Sequence, residues 1–436
     1  MADKSPRVLV ISSVDPTVGP GVVGVEYYNA LKRGGLDVDF MTKFPVEGHP
    51  DFISVYDPDR RTGLGLVKKV FRGLKSRLDK QRLNAKPDYF FFYKKETHPP
   101  VPVNRVVNKI KRQYDIVCVA FWQELLSFAT IEALYDKLHC LFMFLCVDYS
   151  VMSGGCHFTG PCDRFQTGCG RCPAFSSCRE CDFTRWNVQY RARVYQKVKP
   201  VVFGNSYMNS FYRRAYLLKD YDRLEIGYPF MDNEKFKPMD REMYRRRYEI
   251  PSDKRFVIFF GSQDLDDERK GFSYLLDALQ AFKEHLSPEE ERSVLLLIAG
   301  RNIDPIKDRL CLDYSYLGFV DPAELPGIYS MSSIFLCSSV NDAGPSMVNQ
   351  ALSCGTPVVS FEMGTALDVV KDRGTGYCAT LRDSEDLAKG IEQLFRLSDS
   401  DYLSLRKQCR SVALALTSDE AFVKNFMRVY HKYAES

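Results

Sequence analysis

The chain has 436 residues, of which 45% are hydrophobic and 27% are charged, and its formal net charge at pH 7 is +4. This length exceeds what one hydrophobic core usually supports, so we expect two domains of about 200 residues each in a soluble globular protein. The small net charge does not indicate nucleic acid as a partner, and neither a long apolar run nor a signal-peptide pattern is present, so we expect a cytoplasmic protein.

The first half of the chain predicts a parallel sheet. The apolar run from Arg7 to Ser13 predicts a buried strand, and a glycine-rich turn and a helix from about Val22 to Arg33 follow it. Further apolar runs, YDIVCVAFW, CLFMFLCVD and PVVFGNS, alternate with helical patterns. Such alternation is typical of a parallel sheet that is covered on both faces.

Gly19 and Gly21 lie in the turn after the first strand, where Rossmann-like domains bind ligands. Glycine lets the backbone approach a ligand, and the N-terminus of the next helix offers N–H groups to an anion. We therefore include both glycines among the donor-binding residues. Tight packing without any ligand is an equally good interpretation of this turn alone.

The second half repeats the pattern with RFVIFFGS, SVLLLIAG, YLGFV, IFLCSS and PVVSFEMG. We predict two doubly wound, Rossmann-like α/β domains that face each other across a cleft, residues 1–230 and 231–415. A C-terminal helix, residues 416–436, is expected to cross back to the first domain. The segment LEIGYPFMDNEKFKPMD, with its two prolines, is predicted to be the linker.

Arg269 and Lys270 follow the first strand of the second half and precede an amphipathic helix. Two fixed positive charges in that position can neutralise a diphosphate. A solvated run of charges is the alternative interpretation. The later stretch AGPSMVNQAL predicts a glycine-containing loop that enters a helix.

These blocks together resemble a known enzyme family. GPGVVGVEYYNALKRGG, GSQDLDDERKGFSYLLDAL, DAGPSMVNQALSCGTPVVSFEMG and DVVKDRGTGYCA, in this order, resemble the family four glycosyltransferases. The resemblance implies the GT-B fold, a UDP- or GDP-sugar donor, retention of configuration, and no catalytic cofactor. It also implies a glycan or lipid-linked acceptor and a role in bacterial surface polysaccharide synthesis.

The resemblance also implies the site. Two glutamates of the family correspond to Asp342 and Gln350, and a histidine before Asp148 is replaced by Val147. The implied catalytic residues are Asp342, Arg269, Lys270 and Asp148. The implied donor-binding residues are Gly261, Ser262, Arg269, Lys270, Gly344, Pro345, Ser346, Met347 and Gln350. Because of the replacements, a protein that binds a nucleotide sugar or glycan without transferring it is the alternative.

A cysteine-rich insertion spans about residues 153–182. Cys169 and Cys172 have the C-x2-C spacing of structural zinc sites, and Cys156 and Cys162 complete four thiolates. We favour a structural zinc ion over disulfides, free thiols or an iron–sulfur cluster. Cys178 and Cys181 form a second C-x2-C pair that could replace Cys156 and Cys162 as ligands.

The segment from Gly63 to Arg82 combines apolar residues at helical spacing with seven basic residues. A basic amphipathic helix of this kind can bind an anionic membrane surface, which would place the protein at the inner face of the membrane. An ordinary surface helix is the equal alternative.

Overall fold

A computed structural model of the chain describes residues 5–13, 20–56, 86, 89, 91, 95–145, 148–228 and 230–434. The chain forms two compact units, residues 1–204, 208–227 and 423–436 in the first and residues 205–207 and 228–422 in the second. Each unit is built on one parallel sheet, so the predicted pair of parallel-sheet α/β domains is confirmed.

The first sheet has the strand order β3-β2-β1-β4-β5-β6-β7, and all its pairings are parallel. Its strands are β1 (Arg7–Ser12), β2 (Asp37–Thr42), β3 (Ile53–Ser54), β4 (Ile116–Phe121), β5 (Leu141–Phe144), β6 (Val201–Gly204) and β7 (Leu224–Ile226). The helices along this part of the chain are α1 (Pro20–Arg33), α2 (Val103–Val107), α3 (Phe128–Leu138), α4 (Phe183–Val198) and α5 (Ser206–Tyr212).

The second sheet has the order β10-β9-β8-β11-β12-β13, again with parallel pairings throughout. Its strands are β8 (Phe256–Asp264), β9 (Val294–Arg301), β10 (Tyr314–Gly318), β11 (Ile334–Cys337), β12 (Val358–Phe361) and β13 (Gly376–Ala379). The helices that follow α5 are α6 (Arg241–Arg247), α7 (Phe272–Glu284), α8 (Pro288–Ser293), α9 (Asp304–Lys307), α10 (Leu325–Met331), α11 (Ser346–Ser353), α12 (Ser384–Phe395), α13 (Asp399–Thr417) and α14 (Asp419–Tyr433).

Both faces of the second sheet are covered, which explains why its strands read as unbroken apolar runs. Successive side chains of a strand point to opposite faces. Phe259 of β8 belongs to a core that includes Tyr329, and its neighbour Ile258 belongs to a second core that includes Phe282. Polar residues on either face would have to be buried without water, so neither face alternates.

The predicted linker begins as a strand. Leu224, Glu225 and Ile226 form β7, which pairs with Val202, Phe203 and Gly204 of β6. The two prolines dominated the sequence pattern of this segment, whereas the three residues of β7 are too few to show a strand period. Among the described residues, no helix is long and apolar enough to cross a membrane. The predicted basic helix of residues 63–82 lies outside the described residues.

Glu225 anchors the C-terminal helix to the first unit. Its carboxylate lies 2.8 Å from a guanidinium nitrogen of Arg428 and 2.6 Å from Nζ of Lys432, and it accepts a hydrogen bond from the hydroxyl of Tyr433. Burial raises the pKa of Glu225, but the hydrogen bonds from Lys432, Arg428 and Tyr433 outweigh burial and hold the pKa below its ordinary value.

We predict that Glu225→Gln increases hydrogen exchange in α14 several-fold at pH 7, because two cations lose their shared counter-charge. Glu420→Gln, an exposed carboxylate at the start of the same helix, is the control and should leave exchange unchanged. Since the pKa of Glu225 is lowered on folding, its contribution is present above the ordinary glutamate pKa and is lost as the pH falls through the folded-state value. Equal exchange in the two variants at pH 7 would contradict this role.

Candidate active site

The candidate site lies at the point where the strand order of the second sheet reverses, between β8 and β11. Open α/β sheets bind ligands outside the carboxyl ends of their strands at such a point. Lys270 belongs to the loop after β8, in the short 3-10 helix Glu268–Lys270, and Asp342 belongs to the loop after β11. The topology therefore brings together two residues that are far apart in the sequence.

Lys270 and Asp342 form an ion pair, with 2.8 Å between Nζ and Oδ2, and each side chain keeps about a quarter of its surface exposed. Burial raises the pKa of Asp342, but the ammonium group of Lys270 outweighs burial and lowers it. Burial in turn lowers the pKa of Lys270, and Asp342 more than compensates. Both groups are therefore charged at neutral pH.

The backbones of the two loops are in direct contact. The N–H of Val340 donates to the carbonyl oxygen of Arg269 at 2.8 Å, and the hydroxyl of Ser338 donates to the carbonyl oxygen of Lys270 at 2.8 Å. Gly271 makes this approach feasible, because a Cβ there would lie 2.2 Å from the carbonyl oxygen of Ser338. Its φ of +64° also favours glycine.

Arg269 is paired with Asp267, a partner that the sequence analysis missed. Its Nε lies 3.0 Å from Oδ1 and a terminal nitrogen lies 2.7 Å from Oδ2 of Asp267, so the contact is bidentate. Asp267 also accepts from the N–H of Arg269 and thereby caps the 3-10 turn. Both predicted phosphate-binding cations thus have a carboxylate partner in this structure.

Helix α11 begins next to Asp342. Oδ1 of Asp342 accepts from the N–H of Gly344 at 3.1 Å, so this predicted donor-binding amide contacts a side chain of the protein. Ser346, the first residue of α11, is exposed, and Met347 is half-buried. Pro345 is the N-cap residue and is buried.

Gln350 is held by a tyrosine. Its Oε1 accepts from the hydroxyl of Tyr329 at 3.0 Å, and Tyr329 is fully buried on α10. This hydrogen bond uses one lone pair of the amide oxygen of Gln350, while the amide nitrogen carries two donors. The role of Gln350 in donor binding stays a prediction.

A third loop, after β12, reaches the same place and was missed from the sequence. A Cβ on Gly364 would lie 3.0 Å from the Cα of Gly344, so these two loops also touch. The hydroxyl of Thr365 is fully buried and has no hydrogen-bond partner among the described residues. A buried hydroxyl without a partner is uncommon in folded proteins, so Thr365 is a candidate contact for a ligand at this place.

Gly261 and Ser262 lie within β8, and Gly261 is required by the sheet itself. A Cβ on Gly261 would lie 2.4 Å from the carbonyl oxygen of Ala299 on the neighbouring strand β9. Gly21 is the second residue of α1, whereas Gly19 and Val147 lie outside the described residues. Their roles in binding stay predictions.

Asp148 lies in the first unit, just after β5, and is almost completely buried. It accepts hydrogen bonds from the side chains of Gln123 and Ser150, and its Oδ2 lies 2.9 Å from Nδ1 of His157. Burial raises the pKa of Asp148, but His157 and the hydroxyl of Ser150 outweigh burial and lower it. This contact of Asp148 with His157 was not predicted from the sequence.

A buried ion pair fixes the loop that contains Asp148. Glu96 and Arg191 lie 2.6 Å apart with about 1% of each side chain exposed, and the guanidinium of Arg191 also donates to the carbonyl oxygens of Ser150 and Ser153. Glu96 accepts in addition from the N–H of Phe128. Removing either charge would leave the other buried without a partner, so this network sets the position of the loop.

The four predicted zinc ligands line one small cavity. Cys156, Cys162, Cys169 and Cys172 share it, and all four thiols are free. Burial raises the pKa of Cys169, and the thiols of the other three raise it further. Within the described part of the chain, no three His, Cys, Asp or Glu side chains already stand at metal-binding distance.

The comparisons with known proteins agree with this geometry. The two Rossmann-like sheets give the chain the fold of the GT-B glycosyltransferases. Residues 240–413 match the profile of the family described as Glycosyl transferases group 1. This match lies inside the second unit and includes Arg269, Lys270, Asp342 and Gln350.

Individual relatives are distant. Phosphatidyl-myo-inositol mannosyltransferase of Mycobacterium leprae is 28% identical over 186 residues, which are 41% of this chain and 47% of that protein. Sucrose-phosphate synthase from Thermosynechococcus elongatus superposes with a TM-score of 0.62 at 17% identity, covering 99% of this chain and 100% of that chain. HepE from Anabaena, solved with UDP and glucose, gives a TM-score of 0.59 at 14% identity, covering 98% and 100%. The chain spans about half the length of the curated relatives it matches, 39% to 48% for three of them.

We predict that Gly271→Ala lowers the free energy of unfolding of the second unit more than Gly318→Ala does. Both glycines have a positive φ, +64° and +66°, but a Cβ on Gly318 meets nothing within 4 Å. Gly318→Ala should therefore lower the free energy of unfolding by about 1–2 kcal/mol, the cost of a left-handed backbone at a residue with a Cβ. Urea unfolding measures the difference, and equal losses in the two variants would show that the loops do not depend on this close approach.

Proposed function

We propose that the protein is a glycosyltransferase that takes a sugar from a nucleoside diphosphate donor bound by the second unit. The observation that carries this proposal is the charged pair Lys270 and Asp342, which lies where open α/β sheets generally bind ligands and inside the segment that matches group 1 glycosyltransferases. HepE, which was solved with UDP and glucose, supports the donor class. The finer choice between a UDP-sugar and a GDP-sugar is open to the test below.

The cations have a defined task in this reaction. The bond between the anomeric carbon and the diphosphate oxygen breaks, and the leaving oxygen gains negative charge that Lys270 and Arg269 can stabilise. The acceptor hydroxyl forms the new bond to the anomeric carbon, and its proton passes to the departing diphosphate. We propose retention of configuration, so that attack and departure occur on the same face of the sugar.

Asp342 and Thr365 are proposed to contact the donor beside the cations. The carboxylate of Asp342 would accept from a sugar hydroxyl while it holds Lys270 in place. The buried hydroxyl of Thr365 would donate to a phosphate or a sugar oxygen, which would supply the partner that it lacks among the described residues. Gly261, Ser262, Gly344, Pro345, Ser346, Met347 and Gln350 complete the proposed donor-binding set, together with Gly19 and Gly21.

A glycan or lipid-linked acceptor, a role in surface polysaccharide synthesis and attachment to the inner face of an anionic membrane are parts of the same proposal. Their support is the family resemblance of the sequence and the basic pattern of residues 63–82. No nucleic-acid partner and no cofactor of the transfer step are proposed.

One specific observation favours a second candidate, a protein that binds the donor without transferring the sugar. Both cations are paired with carboxylates, and the oxygen of Gln350 is bonded to Tyr329. A ligand must share or displace these partners. Tight binding of a nucleotide sugar with no release of nucleoside diphosphate, with any acceptor, would favour this candidate.

We predict that Lys270→Met weakens donor affinity by about 10- to 100-fold, the effect of losing one charged hydrogen bond of about 1.5–3 kcal/mol. Calorimetric titration with a panel of UDP- and GDP-sugars measures the affinity, and release of UDP or GDP measures turnover. Lys307→Met is the matched control, because Lys307 is also paired with an aspartate at 2.7 Å but lies on α9. If the two variants bind the donor equally well, Lys270 is not part of the site.

On the acceptor side, we propose that His157 takes the place of the histidine that the family carries at the position of Val147. Oδ2 of Asp148 lies 2.9 Å from Nδ1 of His157, and 23% of the histidine side chain remains exposed. The other ring nitrogen, Nε2, is then the group offered to an acceptor hydroxyl. Asp148 acts as a positioning residue for the imidazole.

Two variants separate these tasks. His157→Asn keeps a donor where Nδ1 stands, whereas His157→Gln keeps a polar group where Nε2 stands. We predict that Gln retains more activity than Asn and that the loss appears in kcat and in KM for the acceptor rather than in KM for the donor. His285, whose Nδ1 also lies 2.9 Å from a carboxylate, supplies the control pair. Equal activity of Asn, Gln and wild type would exclude His157 from the reaction.

A further inference from the structure

The cysteine-rich insertion has no task in the proposed reaction, yet the fold gathers its thiols in one place. Cys156, Cys162, Cys169 and Cys172 line a cavity of about 20 Å³ together with the rings of Phe91 and Phe165. By the same measure, one water needs about 10–15 Å³, so the cavity has room for one small occupant. The aromatic rings and Pro173 give the cavity dry walls.

The two remaining cysteines of the insertion are placed differently. Cys178 and Cys181 are exposed and do not line the cavity. The spacing alone allowed this second C-x2-C pair to replace Cys156 and Cys162 as ligands. The fold distinguishes the two pairs, because Cys156 and Cys162 line the same cavity as Cys169 and Cys172, whereas Cys178 and Cys181 do not.

The turn from Cys169 to Cys172 has a left-handed backbone. Cys169, Gly170 and Arg171 all have positive φ values, of +62°, +89° and +43°. Two backbone donors of the turn bond to side chains outside it. The N–H of Gly170 donates to the hydroxyl of Thr184, and the N–H of Cys172 donates to the carboxylate of Asp182. Asp182 also caps helix α4, so the turn from Cys169 to Cys172 is fixed to the start of this helix.

We propose that these four thiols bind one structural zinc ion. Four thiolates saturate the tetrahedral sphere of Zn²⁺, with Zn–S distances of about 2.3 Å. The sulfurs are not yet at that spacing, so binding would draw them into the cavity and release their protons to solvent. Soft thiolates select zinc or iron over calcium or magnesium, and both metals are distinguished below.

The position of the cluster gives the metal a structural task. Cys156 is adjacent to His157, and the ring of Phe91 lies next to the backbone of Gly155. The zinc ion would close the loop that carries His157 against α4 and keep the imidazole beside Asp148. Because His157 is proposed to act on the acceptor side, loss of zinc would also lower glycosyl transfer, whereas donor binding by the second unit would not depend on the metal.

The first test is elemental analysis of protein that was purified under reducing conditions without chelator. We expect about one equivalent of zinc in the wild type, since one site of four thiolates binds one ion. Cys169→Ser should lose the zinc, and Cys178→Ser, an exposed cysteine outside the cavity, should keep it. Metal-free wild type that takes up no zinc on reconstitution would overturn the proposal, as would one equivalent of iron with visible absorbance.

A second measurement on the wild type avoids any variant that fails to fold. The protein is alkylated with and without zinc, and the modified cysteines are mapped by mass spectrometry. Zinc should protect Cys156, Cys162, Cys169 and Cys172 and leave Cys178 and Cys181 reactive. Protection of Cys178 and Cys181 instead, or of no cysteine, would contradict this ligand set.

Discussion

The absence of a side chain at Gly271 is the constraint on which the candidate site depends. The loops after β8 and β11 touch at this residue, where any Cβ would overlap the carbonyl oxygen of Ser338. The contact lets Arg269 and Val340 share a backbone hydrogen bond and brings Lys270 to within 2.8 Å of Asp342. The strand order brings the two loops to the same edge of the sheet, and Gly271 allows their backbones to touch.

The close approach of the two loops also determines the electrostatics of the site. Lys270 stays protonated in a half-buried place because Asp342 is beside it, and Asp342 stays ionised for the same reason. A diphosphate bound here, as proposed, would add negative charge next to both carboxylates, Asp342 and Asp267. The contacts that preorganise the cations would therefore compete with the proposed ligand, and donor affinity would depend on how far the phosphates can share Lys270 with Asp342.

The sequence predicted what short-range patterns record. Unbroken apolar runs indicated both parallel sheets. Arg269 and Lys270 were singled out because they follow a strand, and Asp342 because of the family resemblance, while the roles of all three in binding stay predictions. Contacts between residues far apart in the sequence were not predictable. Asp148 contacts His157, and Glu96 contacts Arg191, only after the loops have folded. Thr365 was missed for the same reason, because nothing in its local sequence shows that the loops after β11 and β12 touch. The cysteine spacing left two ligand sets open, and only the fold shows which thiols share a cavity.

We propose that Lys270 recognises the diphosphate of a nucleotide. The most direct measurement compares the affinities of UDP and UMP, and of GDP and GMP, for the wild type and for Lys270→Met. We expect the wild type to prefer the diphosphate by at least about tenfold, or about 1.4 kcal/mol, and the substitution to abolish most of this preference while the monophosphate binds as before. A wild type that binds both forms equally, or a preference that survives the loss of Lys270, would contradict it.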